Sequence, residues 1–407
     1  MAGPTTAGAR GDAGASFATI GVVGAGTMGA GIAQLALEHG HDVLLHDVDA
    51  AAVARGRERI ADGLARRVAK RGLDDEAAAE ATSQAMARLR DAASLEDVAA
   101  EADLVVEAAL EQLDLKRTIF AALDAGGPPT TLLATNTSAL SVSALAAATT
   151  RPERVLGLHF FNPAPLLPLV EVVAGEASDG ACLDAAARLV ASWGKTPVRV
   201  RDVPGFIVNR VNRPFTLEPL RLLTAGEAGV ARIDAALEAA GYPMGPFALM
   251  DLVGIDVNLA VAVTLWEGFF GEPRFRPSPV QRRLVDGGHL GRKTRRGFYR
   301  YDEAGTRLGT APEFEAAPDG GLPDEAIVER VVLAIVNEAF HALGEGVATP
   351  DDIDLALELG ARHPRGPFAG AERLGLGHVV RRLDELTALE GERFRPAPAL
   401  RRALAGG

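Results

Sequence analysis

The sequence predicts an α/β N-terminal domain, a doubly wound parallel sheet, followed by an all-α C-terminal part whose helical unit occurs twice. Three observations lead there. From Thr19, short β-branched runs alternate with Ala/Leu-rich stretches, "TIGVVGAG", "TMGAGIAQLALEHG", "DVLLHDVD", the order of a parallel sheet with crossover helices. After "TPVRVRD" the texture turns helical at Pro204, beginning "PGFIVNRVNRPFTLEPLRLLTAG". Finally, "IDAALEAAGYPMGPFALMDLVGIDV" from Ile233 is echoed by "IDLALELGARHPRGPFAGAERLGLGHV" from Ile353, with the same succession of acidic cap, helix, Gly-Pro-Phe turn and following helix.

Taken in order, residues 1–16, "MAGPTTAGARGDAGAS", are small and polar, without the apolar core of a signal peptide or the repeated arginines of a transit peptide, and read as a disordered lead. Residues 17–203 form the sheet domain, with further strands expected at "ADLVVEAA", "TTLLATN", "RVLGLHFFN" and "LPLVEVVAG". Residues 204–302 are the first helical domain, 303–322 a linker, and 323–407 the second, degenerate helical copy. The Pro, Gly and Arg content of residues 271–322 marks a connector with room for one short hairpin.

Composition narrows the function classes. At 407 residues and 48% hydrophobic content the chain has enough apolar matter for several cores. A net charge of −12 repels phosphodiester backbones and anionic membranes, so neither nucleic acid nor a membrane is an expected partner. No apolar run reaches the roughly 18 residues of a membrane span. The single cysteine, Cys182, fits a reducing compartment, and the cytoplasm is expected.

"GVVGAGTMGAGIA" places Gly24, Gly26 and Gly29 in G-x-G-x-x-G spacing, with Thr27 and Met28 opening the helix. The first glycine allows a tight turn, the second a close approach to pyrophosphate, the third the packing of helix on strand. A second strand then ends at Asp47, where a carboxylate accepts from both hydroxyls of an adenine ribose and repels a 2′-phosphate. The cofactor is therefore expected to be NAD, in a Rossmann-type domain. The alternative, a glycine turn that serves packing alone, explains the glycines but not Asp47.

His159 and Glu171 sit on two apolar runs either side of a proline-broken turn. If those strands are neighbours, the carboxylate holds one ring nitrogen and the other takes a proton from a substrate hydroxyl. The plainer account is a satisfied core histidine beside an unrelated glutamate. "LLATNTSALS" ends a strand with Asn136, Thr137 and Ser138, where open α/β sheets bind ligands, although Ser138 or Ser141 would equally serve as a helix cap. Between Arg55 and Arg71 seven basic residues face two acidic ones, either a solvated helix face or an anion site. His39 and His41 lack a third ligand nearby, so no metal is expected.

Together, "IGVVGAGTMGAGIAQ", "ADLVVEAALE", "ATNTSAL", "GLHFFNPAPLLPLVEVV", "GKTPVRVRDVPGFIVNR", "GYPMGPFALMDLVGIDV" and "GRKTRRGFYRY" resemble the L-3-hydroxyacyl-CoA dehydrogenase family, also called 3-hydroxybutyryl-CoA dehydrogenases, from about Ile20 to Asp302 and more weakly beyond. The resemblance implies oxidation of a (3S)-3-hydroxyacyl-CoA to the 3-oxoacyl-CoA with NAD⁺, on short chains such as 3-hydroxybutyryl-CoA or 3-hydroxyadipyl-CoA. It makes His159 the general base and Glu171 its orienting carboxylate. Ser138 and Asn209 would bind the reacting end of the substrate. Glu111, Lys116, Ser138 and Asn162 would line the NAD site with Asp47, and Lys70 and Arg71 would meet CoA. Asn209 would enter the site from the helical domain.

The second helical copy departs from the simplest members. A shift of 120 positions pairs Arg210 with Arg330 and Glu218 with Glu338, but Asn209 with Glu329, so the copy is expected to be structural. In single-copy relatives the helical domain is the dimerisation surface; a duplicated copy would stand in for the partner, which leaves a homodimer and a pseudo-dimeric monomer both open. The rival readings are a dehydrogenase of a non-CoA β-hydroxyacid and a non-catalytic NAD-binding structural protein.

Overall fold

The structure, a computed structural model, describes residues 17–70, 74–315 and 321–406. Its contacts divide the chain into two compact units, one of Met1–Thr137 with Val142–Pro197, the other of Ser138–Ser141 with Val198–Gly407.

The first unit is built on strands β1 (Thr19–Val23), β2 (Asp42–His46), β3 (Leu89–Asp91), β4 (Leu104–Glu107), β5 (Leu132–Thr135), β6 (Val155–Phe160) and β7 (Leu169–Ala174). They lie in the order β3-β2-β1-β4-β5-β6-β7. Strands β1 to β6 are parallel. β7 runs antiparallel to β6, because residues 161–168 are too few to carry a crossover helix back to the other end of the sheet. The interior strands are almost wholly apolar and buried on both faces, as a sheet covered by helices requires. Strand order reverses between β1 and β4, and ligands of open α/β sheets bind at the carboxyl ends of strands at such a point. Helix α1 (Thr27–Glu38) follows β1 directly, and α2 (Ala50–Ala69) is capped by Asp49, whose side chain accepts from the Ala51 amide. The two helices pack so closely that a Cβ on Gly63 would lie 2.0 Å from Gln34 Oε1.

The chain passes into the second unit within β8 (Thr196–Arg201). This unit is helical apart from an antiparallel hairpin of β9 (Tyr299–Tyr301) and β10 (Arg307–Thr310). Its internal repeat is physical as well as textual. In the first copy Asp234 accepts from the amides of Phe247 (2.9 Å) and Ala248 (3.0 Å) at the start of the Pro246–Val253 helix. In the second, Asp354 accepts from those of Phe368 (2.7 Å) and Ala369 (2.9 Å) at the start of Pro367–Leu374. Each carboxylate satisfies amides that a helix N-terminus leaves without an internal partner.

The copies exchange charged side chains. Arg210 Nε meets Glu338 Oε1 at 2.7 Å, and its counterpart Arg330 Nε meets Glu218 Oε2 at 3.2 Å. Likewise Arg274 reaches Glu338 (2.8 Å) while Arg393 reaches Glu218 (3.3 Å). Residue i of one copy contacting residue j of the other, and j contacting i, is the signature of a two-fold interface. Tyr242 and His363, also counterparts, stack edge to face with centroids 5.1 Å apart. Among the described residues no single helix is long and apolar enough to cross a membrane.

Candidate active site

At the switch point of the sheet the three glycines do three different things. Gly24 adopts φ +100°, and a Cβ there would lie 2.6 Å from the Ala108 carbonyl oxygen. A Cβ on Gly29 would fall 1.8 Å from Gly24 O, so helix and strand pack through it. At Gly26 the same added atom would meet nothing within 4 Å: this is open space in front of the backbone. Gly26 is also the N-cap of α1, with no side chain capping the first amides at Thr27 and Met28. An opening next to a helix N-terminus with uncapped amides suits a pyrophosphate. Thr27 is exposed, whereas Met28 is half-buried against the sheet core.

Asp47 follows β2. Its Oδ2 accepts from the Ala25 amide at 2.8 Å and its Oδ1 from that of Asp49 at 3.3 Å, so the residue expected to hold a ribose also braces the glycine turn. The open cradle, the uncapped helix and this half-buried carboxylate fit NAD.

A buried network at the end of β4 was not foreseen. Glu107 is fully buried and accepts from Lys116 Nζ (2.7 and 2.9 Å), Thr135 Oγ1 (2.8 Å) and the Ala109 amide (2.7 Å). Lys116, on helix α3 (Leu113–Gly126), is thereby drawn beneath the loop that carries Glu111, whose Oε2 lies 3.4 Å from its ammonium. Thr137 Oγ1 donates to Glu111 Oε1 at 2.6 Å. Lys116 and Glu111, both expected to line the cofactor site, are thus neighbours, with Glu107 as the acceptor that makes a buried ammonium tolerable. The sequence signal was a glutamate closing an apolar strand nine residues before a helical lysine, a pattern shared by many solvated lysines.

His159 and Glu171 are direct cross-strand partners in the antiparallel register of β6 and β7. Nδ1 of His159 lies 2.6 Å from Glu171 Oε2; the His159 side chain is 8% exposed and that of Glu171 not at all. Because side chains alternate along a strand, this pair shares one face of the sheet. Nδ1–H donates to the carboxylate, which puts the basic lone pair of the neutral ring on Nε2. Asn136 does not wait for a ligand: its Oδ1 accepts from the Phe160 amide at 2.9 Å and ties β5 to the backbone beside His159. Asn162 is exposed in the loop after β6.

Lys70 lines a groove of about 730 Å³ with Arg59, Arg66 and Arg67 of α2 and Pro163 and Leu166 of the loop after β6. Arg67 is held by Glu38 at 3.1 Å. Arg71 lies outside the described residues. In the second unit Asn209 Nδ2 donates to the Ser138 carbonyl at 3.2 Å, so these two expected substrate ligands form a local cluster.

The sequence profile described as 3-hydroxyacyl-CoA dehydrogenase, NAD binding domain, matches residues 19–203, and that of the 3-hydroxyacyl-CoA dehydrogenase C-terminal domain matches 205–301 and again 327–407. The 3-hydroxyadipyl-CoA dehydrogenase of Escherichia coli K12 is 38% identical over 94% of this chain and 96% of its own. The 3-hydroxybutyryl-CoA dehydrogenase of Bradyrhizobium diazoefficiens is 44% identical over 69% of this chain and 94% of its own. Among solved structures, a 3-hydroxybutyryl-CoA dehydrogenase from E. coli K12 superposes with a TM-score of 0.84 at 36% identity, covering 96% of this chain and 99% of that one.

Proposed function

The chain belongs to the 3-hydroxyacyl-CoA dehydrogenase family, and from that premise we propose how its residues divide the reaction. It is an NAD-dependent oxidoreductase that oxidises the 3-hydroxyl of a short-chain acyl-CoA thioester. NAD⁺, when bound, supplies the acceptor for the hydrogen that leaves C3 with its electron pair.

His159 removes the hydroxyl proton at Nε2 as the C3–H bond breaks and the carbonyl forms. Glu171 keeps Nδ1 protonated, aims the ring, and stabilises the imidazolium that the transfer creates. The observation that carries this reading is the 2.6 Å contact between two buried side chains in direct strand register. A buried pair of this kind has a high desolvation cost, which a structural histidine gives no reason to bear. Ser138 and Asn209 bind the reacting oxygen end of the substrate. Gly24, Gly26, Thr27, Met28 and Gly29 hold the pyrophosphate of NAD, Asp47 its adenine ribose, and Glu111, Lys116, Ser138 and Asn162 the remainder. Lys70, with Arg71, meets CoA.

The substrate is (3S)-3-hydroxybutyryl-CoA or (3S)-3-hydroxyadipyl-CoA, by likeness to the relatives named for each. NADH formation with these thioesters but not with free 3-hydroxybutyrate is the expected result; turnover of the free acid would overturn the CoA reading. His159→Ala should lower kcat roughly 1,000-fold, within the range for a lost general base, while NADH still binds. Turnover at the parental rate would remove His159 from the mechanism.

The second helical copy stands in for a dimer partner, and the exchanged arginine–glutamate pairs support that role. Light scattering should then give the mass of one chain. The reading places the enzyme in the cytoplasm, a location supported by the bacterial relatives and the single cysteine.

A further inference from the structure

Arg213 stands four residues after Asn209, where the short helix α4 (Val208–Val211) passes into α5 (Pro214–Ala225). Asn212 and Arg213 both lie in the right-handed helical region, and the Arg213 amide donates to the Arg210 carbonyl at 3.0 Å, so one tight turn of chain separates the two residues. The residue is 5% exposed. Nε is buried with no hydrogen-bond partner, and Nη1 has only Thr216 Oγ1 at 3.4 Å, far longer than a charge-assisted bond. Among the described residues no carboxylate pairs with it. The other buried arginines each have one: Arg151 meets Asp124 at 2.9 Å, Arg210 meets Glu338 at 2.7 Å and Arg330 meets Glu218 at 3.2 Å.

The fold has no need of a cation here. The 120-residue register places Leu333 at the corresponding point of the second copy, fully buried, so an apolar side chain satisfies the packing. Burial alone pushes the Arg213 guanidinium down to about 10, which leaves it protonated at neutral pH. A cation held out of water without a counter-charge destabilises a protein unless something else brings the anion.

Resting on the role of Asn209 given above, we propose that Arg213 receives a terminal carboxylate of the acyl chain, and that the substrate is a 3-hydroxyacyl-CoA ending in a carboxylate. In a six-carbon chain the stretch from C3 to that carboxylate is comparable to one helical turn. A guanidinium fork matches a carboxylate bidentately, and a methyl-ended chain leaves it unsatisfied. Of the two substrates above, the structure thus selects 3-hydroxyadipyl-CoA.

The test compares 3-hydroxyadipyl-CoA with 3-hydroxyhexanoyl-CoA, equal in length but ending in a methyl group, by kcat/KM for NADH formation. The unmodified protein should prefer the carboxylated thioester by roughly 100-fold, the scale of a charged hydrogen bond made or lost. Arg213→Met should collapse that ratio, chiefly through KM for the adipyl substrate, and Arg213→Lys should restore part of it. NADH affinity and thermal midpoint are measured on every variant, and the substrate comparison in the unmodified protein stands without any variant. Equal use of the two thioesters by a protein that oxidises 3-hydroxybutyryl-CoA would overturn the role of Arg213 and leave the dehydrogenase reading intact. A parallel loss on both substrates in Arg213→Met would also overturn it. Failure to oxidise any CoA thioester would overturn both.

Discussion

The two helical copies share a skeleton and differ in what it carries. Where the first has Asn209 and Arg213, the second has Glu329 and Leu333. Glu329 is engaged by Arg382 (2.9 Å) and His378 (3.0 Å), and Leu333 is core. The residues that join the copies, Arg210 and Arg330 with Glu218 and Glu338, did not diverge, nor did Asp234 and Asp354, which cap a helix within each copy. Packing and charge exchange therefore suffice to maintain the unit, and a buried charged group that is present in only one copy and has no partner carboxylate there, as Arg213 has none, has a reason outside the fold.

The severest way to break the comparison is to remove an exchanged charge. Glu338→Ala takes from Arg274 its buried partner and leaves the buried Arg210 only the half-exposed Glu345, and should cost about 3 kcal/mol in denaturant unfolding; a loss below about 1 kcal/mol would mean that the exchange is incidental. Next is His363, whose Nε2 donates to Asn212 Oδ1 at 2.8 Å beside Tyr242 and Phe215. Burial pushes this imidazole from its ordinary value of 6.5 down to about 4. The unfolded chain binds a proton that the folded one refuses, so the contribution is complete above about 6.5 and is lost as the pH falls towards 4, up to roughly 3 kcal/mol. His363→Phe should flatten the stability profile in that window relative to the parent; identical slopes would remove His363 as the cause.

Chemistry should separate the copies more narrowly. Asn209→Ala is expected to lower kcat/KM about 100-fold, near 2.7 kcal/mol of transition-state binding. Glu329→Ala, the same change in the other copy, should alter it less than about twofold, since the ion-pair partners of that side chain, His378 and Arg382, belong to the second copy. Comparable losses would make the second copy catalytic. Smallest of all, Lys293→Ala breaks an exposed pair with Asp256 and should shift stability by less than about 1 kcal/mol.

Much of the site was legible because its signals are local. The glycine spacing and Asp47 lie on one β-α-β unit, and the alternation of β6 and β7 puts His159 and Glu171 on one face once the strands pair. The antiparallel turn of β7 is written in the shortness of residues 161–168, which a parallel reading overlooks. Glu107 was missed because its meaning comes from three donors distant in sequence, Lys116 and Thr135 among them. The exchanged charges were visible as repeated residues but not as partners, because a repeat is read along the chain and the contacts run across it. Arg213 carries no sequence signal: its meaning lies in what does not surround it.

Joining the two halves by a covalent tether changes the rules of their variation. In a symmetric pair of separate chains every substitution occurs twice, once on each side of the axis, and dilution pulls the pair apart. Here each position varies alone, and the mutual concentration of the halves is set by the chain rather than by the solution. One half is thus at liberty to change its chemistry while the other keeps it, and, with the second copy in the partner's place as proposed, the melting temperature should not depend on how much protein is in the tube.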